Sequence, residues 1–188
     1  AKIGLRWSRG PFEMMNRYGL ENSFQIVERF VKGHGLTTPK ILNRQMKTGE
    51  GWNFSLVDLV IKNEIARIII NRPEAMNAIN ESVVRQLDEQ FIKAEKTPGV
   101  KAIVLEGAGK AFVAGADIQY FLKKIDEGKI NDIVNFTRYG HEVLGRIDNS
   151  DKLVIAKLDG LALGGGVELA LAADTIVATD KGTMGLPE

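Results

Sequence analysis

Residues 10–31 open with Gly10-Pro11 and then place Phe12, Met15, Leu20, Phe24, Val27 and Phe30 at roughly helical spacing, which predicts one or two amphipathic helices. Residues 32–54 follow with three Gly- or Pro-containing breaks and no sustained period, so a linker and a domain boundary are expected there. From Ser55 the period changes. LVDLVIKN and IARIIIN are two runs rich in β-branched residues around Asn63-Glu64, the pattern of an antiparallel hairpin. NRPEAMNAIN (71–80) reads as a Pro-containing turn. Asn80 is then placed to cap a helix through about Lys96 that carries Val83, Val84, Leu87, Phe91 and Ile92 on its apolar positions, with Pro98-Gly99 closing it.

KAIVLEG (101–107) predicts a strand whose continuous apolar centre implies burial on both faces, and GKAFVAGAD reads as a Gly- and Ala-rich loop after it. Helical segments fill roughly 117–149. KLVIAKLDG (152–160) is the next strand, GGG opens a short Ala- and Leu-rich helix to about Ala173, and DTIVAT (174–179) is another strand. Strands alternating with helices predict an α/β architecture. No internal repeat is visible.

Composition narrows the function more than the fold. At about 150 residues per domain, 188 residues make one domain plus an appendage. The apolar share of 44% and charged share of 26% are those of a chain able to bury a core. The formal net charge of +1 gives no global field to recruit nucleic acid or an acidic membrane. With no cysteine there is no disulfide scaffold, thiolate nucleophile or Cys-ligated metal site. His34 and His141 lie far apart and no HExxH occurs, so no metal site is expected. Apolar runs such as Ile68–Ile70 and Leu169–Ala173 are far shorter than the roughly 20 residues that span a bilayer, and the first ten residues lack the apolar core of a secretory leader. The expectation is a soluble, cytoplasmic protein. Because the sequence starts without Met and stops at Pro187-Glu188 just after a strand-like run, a piece of a longer polypeptide is also expected.

Nucleotide-binding motifs fail on spacing. Gly107-Ala108-Gly109 follows a strand, but the third glycine comes at Gly115, and a phosphate loop is excluded because Val104 lies five before Gly109 and Ala111 follows Lys110. Two small-residue loops remain, Ala114-Gly115-Ala116 and Gly164-Gly165-Gly166, each following a strand and leading toward a helix. Either these glycines only permit tight turns and close packing, or the two loops aim two N–H groups at one oxygen, the geometry of an oxyanion hole. Glu168 sits in the first turn of an otherwise apolar helix, GGGVELALAAD. It is either a dipole-stabilised first-turn acid or a buried carboxylate with a role. Glu188 follows after one strand and a turn and could return to face it. Two acids in one small cavity repel, which raises one pKa and leaves an acid and a base.

These residues carry a resemblance. AFVAGAD, GGGVELALAAD and GLPE, with IARIIINRPEAMNAIN before them, closely resemble the enoyl-CoA hydratase/isomerase (crotonase) family over about residues 54–188. The resemblance implies a crotonase-like α/β fold with a ββα spiral core. It implies a thioester oxygen held by the backbone N–H groups of Ala116 and Gly165, with Ala114, Gly115, Asp117 and Gly164 lining the substrate. It further implies two catalytic glutamates, Glu168 and Glu188. Having both is the hydratase pattern, in which Glu168 activates water for the β carbon of a trans-2-enoyl-CoA and Glu188 protonates the α carbon. No cofactor is implied beyond the coenzyme A thioester as substrate. Complete family members form trimers, so a homo-oligomer is expected.

Two departures stand out. Lysines that often contact the coenzyme A phosphates are replaced by Glu74 and Gln119. Arg72, Lys123 or Lys124 could supply that charge, although solvated surface cations are the plainer reading. The front stretch GLRWSRGPFEMMNRYG is similar to the C-terminal helical domain of 3-hydroxyacyl-CoA dehydrogenases. Residues 1–31 are therefore expected to be a helical remnant of such a domain, 32–54 a linker and 55–188 a crotonase-like domain incomplete at its C-terminus. NAD would belong to a dehydrogenase portion that the sequence lacks. Two other readings are carried beside hydration in β-oxidation: an enoyl-CoA isomerase using Glu188 alone, and a non-catalytic acyl-CoA-binding fragment.

Overall fold

Asn63 and Glu64 take φ values of +51° and +64° and join β1 (Val57–Lys62) to β2 (Ile65–Ile70). Positive φ at both corners is what a type I′ hairpin needs, since its twist matches that of the strands it joins. The antiparallel register runs from Lys62 opposite Ile65 to Val57 opposite Ile70. The computed structural model describes residues 10–52 and 54–187, which fall into two units, 1–54 and 55–188.

In the first unit, α1 (Pro11–Tyr18) and α2 (Leu20–Gly33) occupy the stretch whose apolar spacing predicts helices. The part of the remnant before Gly10 lies outside the described residues. Asn16 ties this unit across 36 residues, its Nδ2 donating to the Trp52 carbonyl at 2.6 Å and its Oδ1 accepting from the Trp52 N–H at 2.7 Å. The stretch read as a linker contains a third helix, α3 (Lys40–Thr48). Two of the punctuation marks taken for breaks are its ends. Pro39 stands at the N-cap, and Gly49 closes the helix at φ +70°, a conformation glycine adopts without penalty. Leu42 supplies the buried anchor.

The second unit repeats one move. β3 (Ala102–Gly107) is followed by β4 (Ala111–Ala114), β5 (Leu153–Leu158) by β6 (Leu161–Leu163), and β7 (Thr175–Ala178) by β8 (Thr183–Gly185). The first strand of each pair joins a five-stranded sheet of order β1-β2-β3-β5-β7, and the second joins a three-stranded sheet of order β4-β6-β8. Apart from the opening hairpin every pairing is parallel. Helices α5 (Ile118–Asp126) and α6 (Ile130–Asp148) return the chain from β4 to β5, and α7 (Gly165–Leu171) returns it from β6 to β7. This is a ββα spiral. Its corners are tight: a Cβ on Gly160, between β5 and β6, would sit 2.3 Å from the Lys110 carbonyl oxygen.

Helix α4 (Glu81–Lys96) starts where Asn80 caps it, with the Asn80 Oδ1 accepting from the Val83 N–H at 3.1 Å. Its Val83, Leu87 and Phe91 join Ile68, Ile103, Phe112 and Leu158 in one apolar core. Two features differ from the sequence reading. AFVA is a strand rather than a loop, because Ala111, Phe112 and Val113 are all buried and leave no polar alternation to mark it. On β3 the face opposite Ile103 and Leu105 is covered through charge rather than apolar contact alone: Glu106 is buried against Lys157 at 3.0 Å and Arg67, cations from the two neighbouring strands. Among the described residues no helix is long and apolar enough to cross a membrane.

Candidate active site

The two small-residue loops leave neighbouring strands. β4 and β6 run parallel with Ala114 opposite Leu163, so continuing that register sets Gly115 beside Gly164 and Ala116 beside Gly165. A Cβ on Gly164 would lie 4.0 Å from the Gly115 Cα, which puts the loops in contact. Gly115 at φ +80° and Gly164 at φ +45° hold conformations that side chains disfavour.

Ala116 is bracketed by its neighbours. Ile79 donates its N–H to the Gly115 carbonyl at 2.8 Å and accepts from the Asp117 N–H at 2.8 Å. In such a parallel bridge the residue between those two groups turns its own amide the other way. Gly165 is the first residue of α7, where an N–H has no partner within the helix. Among the described residues neither the Ala116 nor the Gly165 N–H meets an acceptor. Both residues line one apolar cavity of about 230 Å³, together with Ile79, Phe121, Phe136 and Leu169.

Glu168 corrects an expectation. Its side chain is exposed and makes no hydrogen bond or ion pair among the described residues, so it is not the buried carboxylate that an apolar helix implies. The reason is geometric. α7 buries Gly166, Val167, Leu169 and Ala170, whereas Glu168 and Leu171, three apart, share the face turned outward. Glu168 nonetheless stands at the donor loop, its Oε2 3.8 Å from where a Gly165 Cβ would be. Glu188 lies outside the described residues.

The remaining positions are structural in their contacts. Ala114 ends β4 and donates its N–H to the Met76 carbonyl at 3.1 Å, and the Gly164 N–H is bound to the Gly185 carbonyl at 3.0 Å. Asp117 caps α5, accepting from the N–H groups of Gln119 and Tyr120, and pairs with Arg72 at 2.7 Å. Partial burial pushes the Asp117 carboxyl upward, but the hydrogen bond and charge of Arg72 outweigh it and hold the group below the usual aspartate range. The Asp117 carboxylate is therefore engaged within the fold. So is Arg72, which also donates to the Ala78 carbonyl at 3.0 Å. Lys124 pairs with Asp132 at 2.6 Å, and the exposed Lys123 lies 3.9 Å from Glu127. None of the three is an uncommitted cation. Among the described residues no three of His, Asp or Glu gather where a metal ion could be held.

A profile described as enoyl-CoA hydratase/isomerase matches residues 65–188, the stretch that builds both donor loops. The chain belongs to the enoyl-CoA hydratase/isomerase family. It is 38% identical over 130 residues to the short-chain-enoyl-CoA hydratase of Clostridium acetobutylicum, covering 68% of this chain and 48% of that protein. The crystal structure of enoyl-CoA hydratase from Thermoplasma volcanium superposes with a TM-score of 0.65 at 38% identity, over 71% of this chain and 52% of that one. A protein of Rickettsia felis named "Putative fatty acid oxidation complex trifunctional enzyme" is 28% identical over 202 residues, covering 100% of this chain and 28% of its own length. The chain spans about half the length of the curated hydratases it matches.

Within this crotonase-type fold, one residue that braces the donor loops escaped the sequence reading. Asn77 is fully buried at φ +58°. Its Oδ1 accepts from the Arg72 N–H at 2.8 Å, and its Nδ2 donates to the carbonyls of Ala108 and Ala111 at 2.9 and 2.8 Å. It thus fastens the 71–80 turn to the start of β4. The signal was present in the sequence as an asparagine inside a Pro-containing turn, since asparagine tolerates positive φ and bonds backbone well. Its two carbonyl partners, more than 30 residues away, were not readable.

Proposed function

We propose that the 55–188 unit serves hydration of trans-2-enoyl-CoA thioesters to 3-hydroxyacyl-CoA. The observation that carries this reading is the pair of N–H groups, of Ala116 and Gly165, that meet no acceptor among the described residues and face one apolar cavity. A thioester oxygen placed between them gains negative charge as a nucleophile attacks the β carbon. Donors already fixed in place then strengthen without reorganising, which lowers the barrier. The apolar cavity takes the acyl group. Glu168, beside Gly165, removes a proton from water as the water oxygen bonds to the β carbon. Glu188 delivers a proton to the α carbon. The net change is one water added across the double bond, and the two glutamates return to their starting states by exchanging protons with solvent.

The similarity of residues 4–19 to a dehydrogenase helical domain, and the match of the whole chain to a relative named for fatty acid oxidation, support placing this unit on a polypeptide that also oxidises 3-hydroxyacyl-CoA. Replacing Glu168 by Gln tests the hydratase reading. Hydration of crotonyl-CoA is expected to fall by about 10²–10⁴-fold, the usual contribution of a positioned general base, while migration of a 3-enoyl double bond, which needs no water, persists. Unchanged hydration removes Glu168 as the water-activating base, and a wild-type protein that moves the 3-enoyl double bond without hydrating crotonyl-CoA leaves the isomerase reading.

A further inference from the structure

Helix α6 has two faces that line two different spaces. Phe136, Gly140, Val143 and Leu144, at helical spacing, line the apolar cavity that holds the two donors. Asp132, Asn135 and Tyr139 line a neighbouring cleft of about 430 Å³ whose other walls are Glu81, Arg85 and Lys124. Phe136 borders both spaces. Its ring is fixed by two others, 5.2 Å from Tyr120 and 5.6 Å from Phe121 between centroids. The cleft beyond is charged, with Glu81 paired to Arg85 at 3.0 Å and Lys124 to Asp132 at 2.6 Å.

The partition is also held from behind. Asp88 of α4, buried, accepts from the Tyr139 hydroxyl at 2.7 Å and from Arg146 Nε at 2.8 Å, so two side chains of α6 grip one carboxylate. Burial, followed by the hydrogen bond to Asp88 and its charge, pushes the Tyr139 hydroxyl up to about 12, and it stays a donor across the physiological range. α6 cannot swing away without breaking both bonds.

We propose that Phe136 sets the upper limit on acyl-chain length, by closing the apolar cavity against the charged cleft. This rests on the thioester reading above. A tail that runs through the roughly 230 Å³ cavity to Phe136 has either to displace a ring locked by two aromatic neighbours or to enter a space walled by ion pairs, where apolar carbon gains nothing. In an apolar pocket one methylene is worth about tenfold or more in kcat/KM, so the limit is expected to be sharp.

The test compares kcat/KM for the 4-, 6-, 8- and 10-carbon trans-2-enoyl-CoAs in the wild-type protein, Phe136→Ala and Phe136→Leu. Calorimetric Kd values for butyryl-CoA and decanoyl-CoA are measured on the same preparations. The expected result is a ratio of 10-carbon to 4-carbon that rises by about tenfold or more in Phe136→Ala and by less in Phe136→Leu, in turnover and in binding alike. A merely loosened helix would lower all lengths together and leave the ratio unmoved. An unmoved ratio with crotonyl-CoA still hydrated overturns the role of Phe136 and spares the hydratase reading. If crotonyl-CoA is not turned over, the binding ratio still decides about Phe136. If neither thioester binds the wild type, the thioester reading falls and this inference with it.

Discussion

The two halves of the candidate site are made of different material. On one side, the amides of Ala116 and Gly165 are backbone groups held by bonded neighbours: Ile79 clasps the residues on either side of Ala116, and the Gly164 N–H is tied to Gly185. On the other side, Glu168 is a side chain on an exposed face with no partner among the described residues. The donors cannot be moved without moving strands, whereas the acid can be exchanged without the fold noticing. Substitutions at the residues that hold the donors in place should therefore act through stability and geometry together. On the acid side they should act through chemistry alone.

Gly166→Ala should do the most damage. The new Cβ would sit 2.0 Å from the Val113 carbonyl oxygen and 2.9 Å from the Val113 Cβ, so α7 and β4 have to part. A loss of about 3 kcal/mol or more is expected, at the upper end of overpacking costs, as a lowered urea midpoint. Its neighbour sharpens the point. At Gly165 a Cβ would meet the Glu168 Oε2 at 3.8 Å and Ile79 at 3.9 Å, which is ordinary contact. Gly165→Ala should keep its midpoint within about 0.5 kcal/mol, as surface changes usually do. Equal losses at the two positions would mean that the close approach is not what Gly166 is for.

Asn77→Ala comes next. It strips the partner from the Arg72 N–H and from the carbonyls of Ala108 and Ala111, and puts alanine at a positive φ. Unsatisfied buried polar groups cost about 1–3 kcal/mol, so a loss of about 2–3 kcal/mol is expected. Asn77→Asp keeps the acceptor for the Arg72 N–H but sets a buried carboxylate oxygen against the carbonyls of Ala108 and Ala111, and should cost at least as much. A wild-type midpoint for Asn77→Ala would show that the turn is held elsewhere.

The same contrast explains what could be read from the sequence. Local signals carried most of the secondary structure: the Asn63-Glu64 turn, the Asn80 cap and the strand–loop–helix step at Gly164–Gly166 each announce themselves within a few residues. The two small-residue loops were legible for the same reason, because a backbone donor needs only small residues after a strand. What depended on distant neighbours was not legible. AFVA is a strand because both its faces are covered by chain far away in sequence, and residues 40–48 are helical because Leu42 has something to bury against. Glu168 fails in the opposite sense. Its apolar neighbours suggested burial all round, but a seven-residue helix packed on one side leaves one position in four or so facing out.

Asp117→Asn tests the brace between the donor loop after β4 and the 71–80 turn. Asparagine keeps the cap on α5 but loses the charge that holds Arg72. A loss of about 1.5 kcal/mol is expected at neutral pH, the lower end for a hydrogen bond between charged groups. The pH dependence has a definite sign. Asp117 is held below its unfolded value of about 4, so its contribution is fully present above that pH and is lost as the pH falls through the lower folded value. The gap between wild type and Asp117→Asn should be constant from pH 7 to 5 and close below pH 4 or so. A gap that persists in acid would assign the loss to shape rather than charge.

Glu168→Gln should cost the fold least while costing the reaction most. The carboxylate is exposed, bonds nothing among the described residues, and is replaced by a side chain of nearly the same size. A midpoint within about 0.5 kcal/mol of wild type is expected from urea titrations of both proteins, beside the loss of hydration described above. This pairing separates two explanations that activity alone cannot. If hydration and stability fall together, Glu168 acts by holding the start of α7, and the acid side of the site is built like the donor side. If hydration falls while the midpoint stays, the exposed carboxylate is there for the water it deprotonates, and the donor loops stand whether or not that acid is present.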